Sequence, residues 1–216
     1  MNAHSLGAAR VADGGPPFFD VILAQRACRD FSAVPIDDAT VELIVRAATH
    51  APSAENKQPW EFIVVRDAEV QGRIHDLTEQ AWVGGGRDRS ETRLEPHLFK
   101  EVDHGFAGGG FRTAPVLVVV CGDLERGMRA TMSSSIFPCV QNLLLAASAL
   151  GLGSALTTLV ATCREEVGAL LALPEHVVPL AAIPLGVPAR PMGPPRRRPV
   201  AAHTHHDRYG TPWSAA

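Results

Sequence analysis

The chain has 216 residues, 46% of them hydrophobic and 20% charged, with a formal net charge of -3. That balance is ordinary for a globular domain with a substantial core, and it gives no electrostatic case for nucleic acid. No run reaches the roughly 18 apolar residues of a membrane span, and Cys28, Cys121, Cys139 and Cys163 are too scattered for a zinc or disulfide framework.

Residues 1–17 lack an apolar run behind a basic start, so no secretory signal is expected. Segment 1–16, rich in Gly, Ala and Pro, is expected to be disordered. Reduced thiols then fit a cytoplasmic protein.

A short apolar helix begun by Phe18 and Phe19 runs into Gln25-Arg26-Ala27-Cys28-Arg29-Asp30-Phe31. Arg26 and Arg29, three apart, can reach one anionic ligand from the same side. Taken alone, the spacing fits a solvated helix face better. Residues 37–50 form the clearest amphipathic helix, with Val41, Ile44, Val45 and Ala48 on one stripe and Asp37 as N-cap. Pro52 ends it.

The loop Ala51-Pro52-Ser53-Ala54-Glu55-Asn56-Lys57-Gln58-Pro59-Trp60 comes next. Ser53, Asn56 and Gln58 can each donate and accept, as the edge of a planar heterocycle requires. Ordinary turn chemistry explains them equally well.

Residues 60–65 read as a strand and 68–80 as a short helix. The stretch 83–110, with Gly84-Gly85-Gly86 and Gly108-Gly109-Gly110, reads as a mobile lid or a helical insertion with flexible joints. Residues 115–121 form a fully apolar strand. Residues 135–150 form a second helix, apolar all round, suited to burial within the chain or against a partner and stopped by Gly151.

Gly151-Leu152-Gly153-Ser154 is not a dinucleotide fingerprint, because a helix precedes it and the third glycine is missing. The residues after these glycines read as a short strand whose backbone faces a ligand. A helix over 162–171 with Thr162 as N-cap and a strand over 178–187 complete the core elements. The proline-rich stretch 188–199 must be an extended arm. It carries Arg196-Arg197-Arg198, a cluster suited to phosphate or, more simply, a solvated tail. The histidines of His203-Thr204-His205-His206-Asp207 are weighed against as a metal site, since no further ligand group is evident. Few strands among many helices indicate an α+β fold with one sheet.

In this order, the segments resemble the nitroreductase family of flavoenzymes. The resemblance rests on Arg26-x-x-Arg29-x-Phe31, the 51–60 loop, Gln141-Asn142-Leu143-Leu144-Leu145-Ala146-Ala147 running into Gly151-Leu152-Gly153, and Pro184-Leu185-Gly186-Val187-Pro188 with the arginine arm and Asp207-Arg208-Tyr209. It implies a central, mostly antiparallel sheet flanked by helices, and an interlocked homodimer with FMN at the interface. One FMN-binding domain would span 17–210, with a variable lid near 83–110 and an extended arm over 188–210.

By the same resemblance, Arg26, Ala27 and Arg29 belong to a segment touching phosphate, ribityl and the pyrimidine edge. Pro52, Ser53, Ala54 and Asn56, with Gln58 beside them, belong to a loop reaching the flavin from the other subunit. Leu156, Thr157 and Thr158 lie beside the isoalloxazine, and Arg197, with Arg196 or Arg198, binds phosphate. Gln25 and Ala27 stand where many members have arginine and serine.

The activity implied is ping-pong transfer from NAD(P)H to a nitroaromatic, quinone or flavin-like small-molecule acceptor. The flavin does the chemistry, so no catalytic side chain and no metal is expected. The alternatives on the same fold are a reductive dehalogenase, a flavin-cleaving enzyme, or a protein that binds or sequesters flavin without turnover.

Overall fold

The computed structural model describes residues 15–213; the expected disordered segment lies outside them but for its last two residues. A four-stranded sheet runs through the centre, with β1 (Trp60–Val65), β2 (Val116–Asp123), β3 (Gly153–Ser154) and β4 (Val177–Gly186) in the order β1-β2-β4-β3. All three ladders are antiparallel.

Every residue of β2 is buried, as its unbroken apolar run requires of a central strand covered on both faces. A bulge between Val120 and Cys121 shifts its register against β4.

The two faces of the sheet carry different covers. On one side lie α2 (Asp38–Ala48) and α6 (Arg129–Ala149). Asp37 caps α2 by accepting from the Thr40 amide at 2.6 Å. The stripe Val41, Ile44 and Ala48 is buried with Ile136, Val140, Leu143 and Ala147 of α6 and Val116, Val118 and Val120 of β2. Each such aliphatic side chain contributes about 1.5–3 kcal/mol on burial.

The other side buries Val65, Ile74, Leu117, Val119, Cys121, Val160 and Ala182. Here α3 (Ala68–Ala81) covers the sheet with α7 (Arg164–Leu170). Burial pushes the thiols of Cys121 and Cys139 up to about 12, so both are inert packing groups.

The helix expected over 135–150 begins earlier, at Arg129, and runs through Pro138. Met132 is buried on the added turns and Ser135 just beyond them, and that packing outweighs the proline's missing amide. It ends in a Schellman motif: Gly151 takes φ 78°, its amide bonds to Ser148 O at 3.0 Å, and the Leu152 amide bonds to Ala147 O at 2.9 Å.

Thr162 does not cap α7. Its hydroxyl donates to Leu159 O at 2.7 Å, and Cys163 holds the cap position with its thiol turned back to Leu159 O at 3.4 Å rather than capping the helix.

The glycine-rich stretch is largely helical. A π-type turn, Trp82–Gly86, leads into α4 (Arg87–Glu91) and then α5 (Pro96–Phe106). Asp103 ties it together, accepting from Trp82 Nε1 at 2.9 Å and Arg87 Nε at 3.0 Å. The Arg87 hydrogen bond, then that of Trp82, holds the Asp103 carboxyl below its usual range. Trp82 also stacks on Phe106, with centroids 5.1 Å apart.

Candidate functional site

The short helix α1 (Phe18–Ala24) stops at Gln25, and the chain leaves it extended along the rim of the sheet. Backbone bonds fix it there. The Cys28 amide donates to Ser154 O at 2.8 Å, the Ser32 amide to Val187 O at 2.8 Å, and the Ala189 amide to Asp30 O at 3.1 Å. Phe31 N donates to Thr113 Oγ1 at 2.8 Å.

The approach is close because residue 153 has no side chain. A Cβ on Gly153 would stand 2.7 Å from both Cβ and Sγ of Cys28. A segment held by so many main-chain bonds presents Arg26 and Arg29 from a rigid base rather than from a frayed helix end.

Two clefts open along this segment and share Arg29. The larger, about 460 Å³, is lined by Arg26, Ala27 and Arg29, by Lys100, Glu101 and His104 of α5, and by Arg190 and Met192 of the arm. The smaller, about 270 Å³, is apolar and aromatic, with Trp82, Phe106 and Phe111 facing Leu156, Thr157 and Thr158. The backbone of Thr157 exchanges both bonds with Ala182 of β4, at 3.0 and 2.9 Å, which fixes that stretch against the sheet.

Charge in the larger cleft is mixed. Glu101 Oε2 stands 3.4 Å from Arg26 Nη2 and 3.5 Å from Arg29 Nη1, while His104 Nε2 lies 3.8 Å from Asp30 Oδ2. Burial lowers the affinity of the Arg29 guanidinium for its proton, and Glu101 works the other way.

The 51–60 loop lies elsewhere. Trp60, at its end, pairs with Gly122 near the C-terminal end of β2, whereas Ser154 pairs with Leu185, which pairs with Val116 at the N-terminal end. The length of β2 therefore separates the loop from the arginine clefts, roughly 20 Å or more at 3.3 Å per residue.

The loop is strained. Glu55, Asn56 and Gln58 have φ of 53°, 55° and 49°, a region costly for residues with a side chain. The Gln58 amide donates to Ser53 Oγ at 3.0 Å, the Ala54 amide to Ser135 Oγ at 3.1 Å, and Gln58 Nε2 to Asn56 Oδ1 at 3.3 Å. Pro52, Asn56 and Gln58 remain exposed.

Arg196 and Arg197 are also exposed, on the arm beyond Gly193, and Arg197 Nη1 donates to Arg196 O at 2.9 Å. They do not line either cleft. Arg26 Nη1 does reach the arm, donating to Gly193 O at 3.3 Å.

The structure thus brings together Arg26, Ala27, Arg29, Leu156, Thr157 and Thr158 of the residues singled out from sequence. It leaves Pro52, Ser53, Ala54, Asn56 and Gln58 at the far end of the sheet, and Arg196 and Arg197 on the solvent side of the arm.

Sequence reasoning missed Glu101, Arg190, Trp82 and His104. No local spacing announces them. Each becomes part of the site only because the 82–113 stretch folds over the rim and the arm turns back along it.

An antiparallel α+β sheet with helices on both faces, and an arginine-bearing segment laced to its rim, defines a recognisable class of fold. The profile of the "Nitroreductase family" matches residues 22–187, and the chain belongs to that family.

A protein of Methanothermobacter thermautotrophicus named "Putative NADH dehydrogenase/NAD(P)H nitroreductase" is 30% identical over 178 residues, covering 81% of this chain and 78% of that protein. Iodotyrosine deiodinase 1 of Rattus norvegicus is 25% identical over 180 residues, 80% of this chain and 62% of that one. Among solved structures, a protein from Parabacteroides distasonis, also named "Putative NADH dehydrogenase/NAD(P)H nitroreductase", aligns with a TM-score of 0.68 and 26% identity over 89% of this chain and 98% of its own.

Proposed function

We propose that this protein is an FMN-dependent oxidoreductase that takes electrons from NAD(P)H and passes them to a nitroaromatic, quinone or flavin-like acceptor, and that it works as a homodimer. The observation that carries the reading is the pair of clefts meeting at Arg29. One is lined by the guanidinium-bearing Arg26, Arg29 and Arg190, and the other is a mainly apolar cleft walled by Trp82, Phe106 and Leu156.

This donor set fits a phosphorylated planar heterocycle. Guanidinium forks suit phosphate oxygens, and aromatic walls suit a ring face. Bound FMN would supply the electron-accepting and electron-donating chemistry. The chain's own residues would bind and orient it. Arg26 and Arg190 would hold the phosphate, while Ala27 lies along the ribityl chain. Arg29 would place positive charge where reduction deposits negative charge. Leu156, Thr157 and Thr158 would support the ring.

The separation of the 51–60 loop from these clefts supports a dimer. Pro52, Ser53, Ala54, Asn56 and Gln58 would reach the flavin of the partner subunit, and Arg196 and Arg197, further along the arm that lines the cleft through Arg190 and Met192, would add to the phosphate site. An open apolar groove of about 620 Å³, lined by Phe18, Leu43, Ala47, Leu145, Ala146 and Ala149, supplies a surface that a second copy would cover. A strained, exposed loop held in one shape by Ser53 and Ser135 is the form expected of a preset binding edge.

The test is direct. The purified protein is expected to be yellow, dimeric by light scattering, bleached anaerobically by NADH or NADPH, and recoloured by a nitroaromatic or quinone. Colourless protein that takes up no added FMN would refute the reading.

The relationship to a deiodinase supports a second reading, reductive dehalogenation at the same site. It would be favoured by recolouring with a halogenated phenol, accompanied by halide release, where nitroaromatics and quinones fail.

A further inference from the structure

Nothing in a phosphate-binding cleft calls for a carboxylate, yet Glu101 stands between its two arginines. Its Oε2 lies 3.4 Å from Arg26 Nη2 and 3.5 Å from Arg29 Nη1, and both arginine side chains are about three-quarters covered, at 29% and 24% exposure. No other carboxylate pairs with either arginine among the described residues; Asp30, on the same segment, faces His104 at 3.8 Å.

Glu101 arrives from α5, whose position is set separately. Asp103 ties that helix to Trp82 and Arg87, and Gly105 packs so tightly that an added Cβ would stand 2.8 Å from the Phe111 ring and 3.2 Å from Arg29 Cδ. The carboxylate is therefore held in the cleft by packing that does not depend on its charge.

We propose that Glu101 is a built-in counter-charge that sets the reduction potential of the bound cofactor by partly neutralising Arg29. The proposal rests on the flavin reading above. Reduction adds negative charge to the ring, and a bare Arg29 beside it would favour the reduced form strongly. A carboxylate sharing that guanidinium weakens the preference and lowers the potential. The same carboxylate shares Arg26, so it also opposes an incoming phosphate. The chain thereby gives up cofactor affinity to keep the bound flavin a stronger reductant toward its acceptor.

Glu101 acts through Arg29 and Arg26, which makes it a positioning and tuning residue.

The experiment measures the FMN potential by anaerobic reductive titration against reference dyes in wild type, Glu101→Gln and Asp103→Asn, with FMN and riboflavin affinities by fluorescence quenching. Glu101→Gln is expected to raise the potential and to tighten FMN about fivefold, the upper range for a partly exposed ion pair. Riboflavin, which lacks the phosphate, should gain less.

Asp103→Asn removes a carboxylate charge from the same helix but keeps Glu101 and the Gly105 packing that places it, and is expected to leave the potential near that of wild type. If Glu101→Gln does not accumulate folded, Glu101→Ser removes the same charge. An unchanged potential in the charge-removing variant overturns the proposal whatever happens to affinity, and an equal rise in Asp103→Asn overturns it by assigning the effect to any lost negative charge on that helix. If wild type takes up FMN, such a result leaves the flavin reading standing; failure of every variant and of wild type to bind FMN removes both.

Discussion

The α2–β2–α6 core and the clefts around Arg29 are built on opposite terms. In the core, Ile44, Val118, Ile136, Leu143 and Ile183 are fully buried in one apolar cluster, so each side chain contributes through area and fit. Around Arg29 the groups are charged, half-covered and drawn from segments far apart in sequence, namely 26–30, 100–104 and 190–193. A region of the first kind resists change and makes stability. A region of the second kind contributes little stability per contact, because water still screens its charges, and for that reason it can be tuned without unfolding the protein.

The comparison is easiest to break at the core. Leu143→Ala should lower unfolding free energy by about 2–5 kcal/mol in urea titration while leaving FMN affinity of the remaining folded protein unchanged. A loss of affinity with no loss of stability would mean that the two regions are not separable.

His75 sharpens the boundary between them. It is buried, its Nε2 has no hydrogen-bond partner among the described residues, and burial pulls its pKa down from 6.5 to about 4. It lines a small void with Thr78, Phe106 and Thr157, between the core and the smaller cleft. Between those two pH values the unfolded chain binds the proton and the folded chain does not. Stability contributed by neutral His75 is thus complete above pH 6.5 and falls as pH drops toward 4, by up to about 3 kcal/mol. His75→Leu should flatten that part of the stability profile, measured by denaturant titration at stepped pH; an unaltered slope would show that His75 stays neutral in both states or charged in both.

Asp103→Ala should act more locally. It leaves the buried Trp82 Nε1 without its acceptor, at a cost of about 1–3 kcal/mol, and should speed amide exchange across 82–106 but not in β2. Uniform exchange changes would show that this stretch opens only with the whole domain.

Arg190→Ala should be smallest: FMN affinity is expected to fall by about threefold to fivefold, with riboflavin unaffected and no change in melting temperature. Equal losses for both ligands would move Arg190 from the phosphate to the ring.

How far these features were legible beforehand divides along the same line. The 37–50 helix declared itself because Val41, Ile44 and Ala48 repeat at helical spacing behind an Asp cap, and the structure uses all of them that way. The apolar run at 115–121 declared a buried strand, realised as Val116–Asp123. The start of α6 was not legible, because Ser133 and Ser134 have the local preferences of a terminus. Only the burial of Met132 between them and the added first turn reverses those preferences.

Arg26 and Arg29 could be picked out as a pair from spacing, and the fold does set them, with Ala27, on the rim of one cleft. That Leu156, Thr157 and Thr158 would face a ligand was read from their place after the glycines, while the flavin ring as that ligand came from family resemblance; the fold sets them on Arg29's second cleft.

What the sequence determined by itself was periodicity and punctuation: which stretches would bury a stripe, where helices would be capped or stopped, and where prolines would forbid regular structure. These are short-range consequences of side-chain shape and backbone geometry. Tertiary structure alone decided that Glu101 from one helix would stand between two arginines more than 70 positions earlier, and that the Ser53 loop would lie a strand's length away from them. Such encounters depend on how separate elements pack and on which end of a strand each segment leaves, and no window of sequence carries that information.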